Sequence, residues 1–402
     1  MKSRPIAPAA LALLAAGAAL ISACGDSAVA ITSTPIPTAI GNTASIDVID
    51  IDQAAHLLYV ADRTDQGVDV FDVSSPRAKY LRTIALPASP NGLAIAPDLG
   101  RLFVGVSNGS VIIINVDTSS TAYGSVIGEV KTGGHSVDLL DYGAGRQRVY
   151  AANAYDGKLV SIDPVTGAVM ATFTLGKVQL EQPRFDPADG MVYVTSPDAD
   201  ALFRIDPSTG VLRDTFTLGG CKPLGLAINP TTNKALMACH KYTLAFDLGS
   251  GKAIGTFPLG NSDIINYDSN VDRFFVASLP HAQTPGSVGI FGGNPISYIS
   301  SAVTKISGNS AVYDETNKLV YTPEVKANRA SLAGFEMPVP PSGWLGFVTA
   351  AWPYALIMVV AVLLFGFLMR SADPIRRPIP APKRVPKTTA APPAATDRPQ
   401  QA

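Results

Sequence analysis

Few side chains in this chain have the types and spacing that chemistry demands. His135, His240 and His281 stand far apart, with no HxH or HExxH spacing to set two ligands on one face. A metal ion needs His, Cys or carboxylate ligands that converge. No GxSxG elbow supports a Ser-His-Asp hydrolase, and no CxxCH signals covalent haem. The expectation is therefore of no metal and no cofactor. Formal net charge is −1 and charged residues make up 16%, a balance that gives no footprint for nucleic acid.

A site must then be assembled by the fold, and the fold is legible as a repeat. Asn91 to Leu175 contains two copies of one unit, the first beginning GLAIAPDLGRLFVGVSNGSVIIINVDT and the second SVDLLDYGAGRQRVYAANAYDGKLVSIDPVTG. Each reads as four short strands joined by polar or Gly-containing turns, the signature of a propeller blade. The second strand carries a large apolar anchor in every unit: Tyr59, Phe103, Tyr150, Tyr193, Leu236, Phe275 and Val320. Neighbouring anchors differ by 44, 47, 43, 43, 39 and 45, close to the roughly 40–45 residues of WD-type blades. The expected fold class is all-β, a seven-bladed β-propeller over residues 44–337.

The last unit offers only three strands: NSAVYD, LVYTP and SLAGFEM. Ala28–Thr34 (AVAITST), within the segment 25–43, has the character of the missing fourth strand. Pairing with Ser331–Met337 would close the ring and remove an exposed edge. The alternative is a flexible linker and a three-stranded last blade.

The units resemble YVTN-type repeats of seven-bladed propellers, on the runs IAPDLGRLFVGV, FDPADGMVYVTS and INPTTNKALMAC and their continuations VSIDPVTGAVMATFTLG and FRIDPSTGVLRDTFTLG. The resemblance covers about Ser45 to Met337. It implies the fold; such propellers serve as surface-layer proteins, binding modules and relatives of lactonase-like and lyase-like enzymes. Blades 1 and 6 depart most from the pattern.

Antiparallel order puts the loop before strand one and the loop after strand two on the same face of the disc. Aligning the units sets Asp47, Asn91, His135, Arg184, Lys222, Asp263 and Asn309 around the mouth of the central channel. The second loop set adds Asp62, Asn108, Asn153, Asp198, His240, His281 and Glu324. Loops on a rigid scaffold carry function, so this face is the candidate binding site. Alternatively these residues are solvated or tie turns, which Asp and Asn favour. The Asp that recurs after strand three (Asp72, Asp163, Asp206, Asp247) reads as such a turn cap. A cluster of perturbed titratable groups in the mouth would point to an enzyme; an evenly polar rim would point to binding.

Cys221 begins strand one of blade 5 and Cys239 ends strand two, so both fall at the same end of neighbouring strands. Outside the membrane thiols oxidise and a disulfide is expected; the alternative is two small buried hydrophobes.

The two ends point to a membrane. Residues 1–24 have the layout of a secretory signal, with Lys2 and Arg4 before the apolar run Leu11 to Ile21. Ile21-Ser22-Ala23-Cys24 resembles a bacterial lipobox in which Cys24 is lipidated; ordinary cleavage nearby is the alternative. After a short linker, 338–343, residues 344–369 form an uncharged run of 26 residues, long enough to cross a bilayer as one transmembrane helix. The Pro- and Ala-rich tail, 370–402, carries Arg370, Arg376, Arg377, Lys383, Arg384, Lys387 and Arg398. Its composition predicts disorder, and its charge predicts a cytoplasmic side, with the propeller outside. The sequence thus leads us to expect an exported, membrane-anchored binding or scaffold module for a protein or small ligand. An extracytoplasmic hydrolase or lyase on the same face is the alternative.

Overall fold

The computed structural model describes residues 31–37, 43–281, 285–304 and 308–337. Their strands assemble into seven four-stranded antiparallel sheets. Blade 1 shows the rule: Ile46–Asp52, Leu57–Asp62, Gly67–Asp72 and Lys79–Ala85 pair in sequence order. Strands two and three are short, mostly apolar runs buried up to the half-buried Asp72, whereas strand four is largely exposed. A radial sheet packed between two neighbours has its middle strands covered on both faces, and only its outer strand meets water.

All seven anchors are buried at 1% exposure or less, and each stabilises the fold by roughly 1.5–3 kcal/mol. Aromatic stacking ties blades together: Tyr150 of blade 3 stacks on Phe185 of blade 4 at 6.0 Å, and Phe275 of blade 6 on Tyr313 of blade 7 at 5.6 Å. The recurring aspartates cap turns. Asp72 accepts from the Ser74 N–H, Asp163 from Val165 and Thr166, Asp206 from Ser208 and Thr209, and Asp247 from Ser250.

The ring is closed by the N-terminal segment. Ile31–Ile36 pairs antiparallel with Arg329–Glu336 and forms the outermost strand of blade 7. The sequence placed this strand at Ala28–Thr34; the observed one runs on to Ile36, and Ala333 faces Ser33. Ile36, 3% exposed, packs with Ala44, Ile46 and Leu332, and this burial sets the register. Pro35 is accommodated because an outermost strand needs no second ladder partner.

The expected signal (1–24), linker (338–343), transmembrane helix (344–369) and tail (370–402) lie outside the described residues. Among the described residues, no helix is long and apolar enough to cross a membrane.

Candidate functional site

The first strand of each blade is an edge strand facing the channel, so its outward N–H and C=O groups need partners. Side chains of the preceding blade supply them. Asp50 accepts from the Ile95 N–H at 3.3 Å and Asp141 from Phe185 at 2.8 Å. The Asn91 and Asn266 amides donate to Val137 and Ala311 carbonyls at 2.7 and 2.9 Å. Gln182 accepts from Leu226 and Ile265 and donates to the Ile265 carbonyl.

Strand register sorts the channel side chains into two layers. Paired with the seven anchors are Asp50, Ala94, Asp141, Arg184, Ala227, Asn266 and Tyr313. Three residues earlier, toward the mouth, stand Asp47, Asn91, Asp138, Glu181, Leu224, Asp263 and Ser310. In blades 1, 2, 3 and 6 the register slips between the layers, across Asp47, Asn91, Asp138 and Asp263. A bulge re-aims the side chain it carries.

The mouth layer holds four carboxyl groups, Asp47, Asp138, Glu181 and Asp263, and the Arg63 charge acts on the first, second and fourth. Arg63 forms an ion pair with Asp47 and donates to Asn91 Oδ1 at 3.2 Å, while Asn309 donates to Asp47 at 3.4 Å. Burial pushes Asp47 up to about 6 against the pull of Arg63. Burial together with the charges of Asp47 and Asp138 pushes Asp263 up to about 7. Glu181 is raised to about 9, first by burial and then by the Asp138 and Asp263 charges. The Gln179 amide donates to Glu181 Oε1, and Asp138 is likewise raised by burial.

The second layer surrounds a cavity of about 300 Å³, at the low end of small-ligand sites. Asp50, Asp141, Gln182, Arg184 and Asn266 line it, with Tyr142, Phe185 and Tyr267. Arg184 is committed: it lies 3.6 Å from Asp141 and donates to the Ile265 carbonyl and Asn266 Oδ1 at 3.3 and 3.2 Å. It reaches blade 6 past blade 5, where Gly225-Leu226-Ala227 presents almost no side chain. A Cβ on Gly225 would stand 2.1 Å from the Asp263 carbonyl. Gly92, in the matching GLAI run of blade 2, comes as close to Asp138. Asp50 accepts two backbone N–H bonds and forms no ion pair, and burial raises it to about 6.

The sequence-derived residues separate accordingly. Asp47, Asn91, Asp263 and Asn309 converge at the mouth. Arg184 does not: it belongs to the second layer, and Glu181 holds the place assigned to it. His135 is exposed and pairs with Asp156 at 2.6 Å; Lys222 is exposed on the rim. Asp62, Asn153 and Asp198 tie turns and strand ends, and Asn108 is exposed. His240 and His281 line a separate groove, and Glu324 a hollow beside the closing strand. The two loop sets do share a face, linked by bonds such as Arg63 N–H to Ser45 O at 3.0 Å and Ser107 N–H to Ser89 O at 2.9 Å. Missed were Asp50, Asp138, Asp141, Glu181 and Gln182, although DVID, DLLD and DIIN repeat a D-x-x-D/N signal in blades 1, 3 and 6.

Cys221 and Cys239 are joined as a disulfide, Cα atoms 4.7 Å apart. Among the described residues, no group of three or more His, Cys, Asp or Glu side chains is arranged to hold a metal ion. Neither a protein family model nor a curated protein matches the chain.

Proposed function

We propose that this protein is an exported, membrane-anchored binding module that takes a small polar ligand bearing an ammonium group into its channel cavity. The observation that carries the reading is the composition of that cavity. Its single cation, Arg184, is tied to Asp141, Asn266 and a carbonyl, while Asp50 forms no direct ion pair and meets only the more distant charge of Arg184. Tyr142, Phe185 and Tyr267 line the same cavity and supply aromatic surface, a feature of cation sites. Resemblance to YVTN-type repeats, among which binding modules occur, supports the class. The signal-like residues 1–24, the uncharged 344–369 and the basic 370–402 support export with the propeller outside. Lipid on Cys24 would supplement the helix, since one acyl chain anchors only marginally.

Saturation-transfer NMR on the full chain in neutral detergent, with benzylamine, benzoate and glucose as probes, tests the reading. Benzylamine should bind and Asp50→Asn should abolish its signal. Binding of benzoate alone, or benzylamine binding indifferent to Asp50, would overturn it.

A second reading is favoured by the Asp138–Glu181 pair. Two carboxyl groups whose ionisation is held back by burial are equipment for general acid–base catalysis, so the mouth could serve a hydrolase or lyase. Turnover of a simple lactone lost in Asp138→Asn would support it.

A further inference from the structure

On the mouth face, between blades 5 and 6, lies a groove of about 350 Å³ lined by His240, Lys241, Asn261, Ser278 and His281 with apolar neighbours. None of the lining residues is acidic. Asn261 spends its amide on the Leu279 and Pro280 carbonyls, and Ser278 donates to the Gly260 carbonyl. His240, Lys241 and His281 are exposed, and among the described residues they have no ion pair and no side-chain hydrogen bond. The backing is rigid. The Cys221–Cys239 disulfide ends beside His240, whose N–H donates to the Cys221 carbonyl and whose carbonyl accepts from Asn261. A Cβ on Gly260 would lie 2.4 Å from the Lys241 backbone, so the two segments touch.

We infer that this groove binds a small oxyanion, a sulfate- or phosphate-type group. Lysine brings a charge and three donors, and each imidazole offers at least one N–H whether neutral or protonated. Donors facing one concavity without a competing carboxylate match a tetrahedral anion, and charge-assisted bonds of this kind are the strong ones. The site is separate from the channel cavity and shares no residue with it.

Isothermal titration of the full chain in neutral detergent with sodium sulfate, and separately with inorganic phosphate and glycerol phosphate, tests the inference. Saturable one-to-one binding is expected. Lys241→Met should weaken it about tenfold, the scale of one charge-assisted bond, and the His240→Ala/Lys241→Met/His281→Ala variant should abolish it. Lys177→Met, which removes the same charge from another exposed position, should leave it unchanged. The basic tail is intact in every variant, so loss in the triple variant isolates the groove. Stronger binding of glycerol phosphate than of inorganic phosphate would point to an ester group on a larger molecule; the reverse would point to the free ion. Absence of saturable binding, or equal binding by the triple variant, overturns the inference.

Discussion

Blade 1 holds a carboxylate that the fold does not need. Asp69 precedes the residue paired with Tyr59; at that place the other blades have Ile112, Val160, Phe203, Leu244, Gly289 and Gly334. Asp69 and Asp62 are each 0% exposed, and the Oδ2 atom of each lacks a partner. Thr83 donates to the other Asp69 oxygen. Burial, reinforced by the Asp62 and Asp65 charges, pushes Asp69 from 3.8 to about 7. A folded-state value above the unfolded one means that this contribution to stability is fully present below about pH 3.8 and lost as pH rises through about 7. At about 1.36 kcal/mol for each tenfold change, the loss is about 4 kcal/mol. Asp69→Leu, the residue of blade 5, removes that loss and costs about 1 kcal/mol for the lost hydrogen bond from Thr83, whose hydroxyl keeps Tyr80 as a partner. The variant should therefore be slightly less stable than wild type at pH 4 and more stable by about 3 kcal/mol at pH 8. Urea unfolding followed by near-UV circular dichroism from pH 4 to 8 measures both curves. They should diverge by about 1.4 kcal/mol per pH unit, one proton's worth. Parallel curves would refute the reasoning.

Three further outcomes follow from the same geometry. Replacing both Cys221 and Cys239 by Ser should lower unfolding free energy by about 3 kcal/mol, the scale for a loop near their separation of 18 residues, as read by urea denaturation. Gly225→Ala should destabilise by about 1–3 kcal/mol, because its Cβ collides with backbone that cannot swing aside, and a thermal melt would show it. Cysteines at Ser33 and Ala333 should cross-link under mild oxidation and be found by peptide mass spectrometry, whereas Ser33 with Ala330, three residues out of register, should not.

The blade count was legible because each anchor must fill the same space between two sheets, which fixes its type and spacing. The need for closure was legible from the missing strand, but its register was not: that depends on where Ile36 finds an apolar pocket. The channel was harder to read. Period-two counting along the first strand fails at the bulges, and those bulges carry Asp47, Asn91, Asp138 and Asp263. Arg184 aligns with the mouth in place of Glu181 because the first strand of blade 4 begins only at Pro183, leaving Glu181 outside any strand pattern. The Asp62 charge acts on Asp69 from strand two to strand three of one blade, and loop-based alignment passes over it.

The channel reading meets its most direct test in a crystal structure of the protein with benzylamine. The account predicts the ammonium within hydrogen-bonding distance of an Asp50 carboxylate oxygen and the ring among Tyr142, Phe185 and Tyr267. An empty cavity, or benzylamine seated instead among Asp47, Asp138 and Asp263 at the mouth, would contradict it.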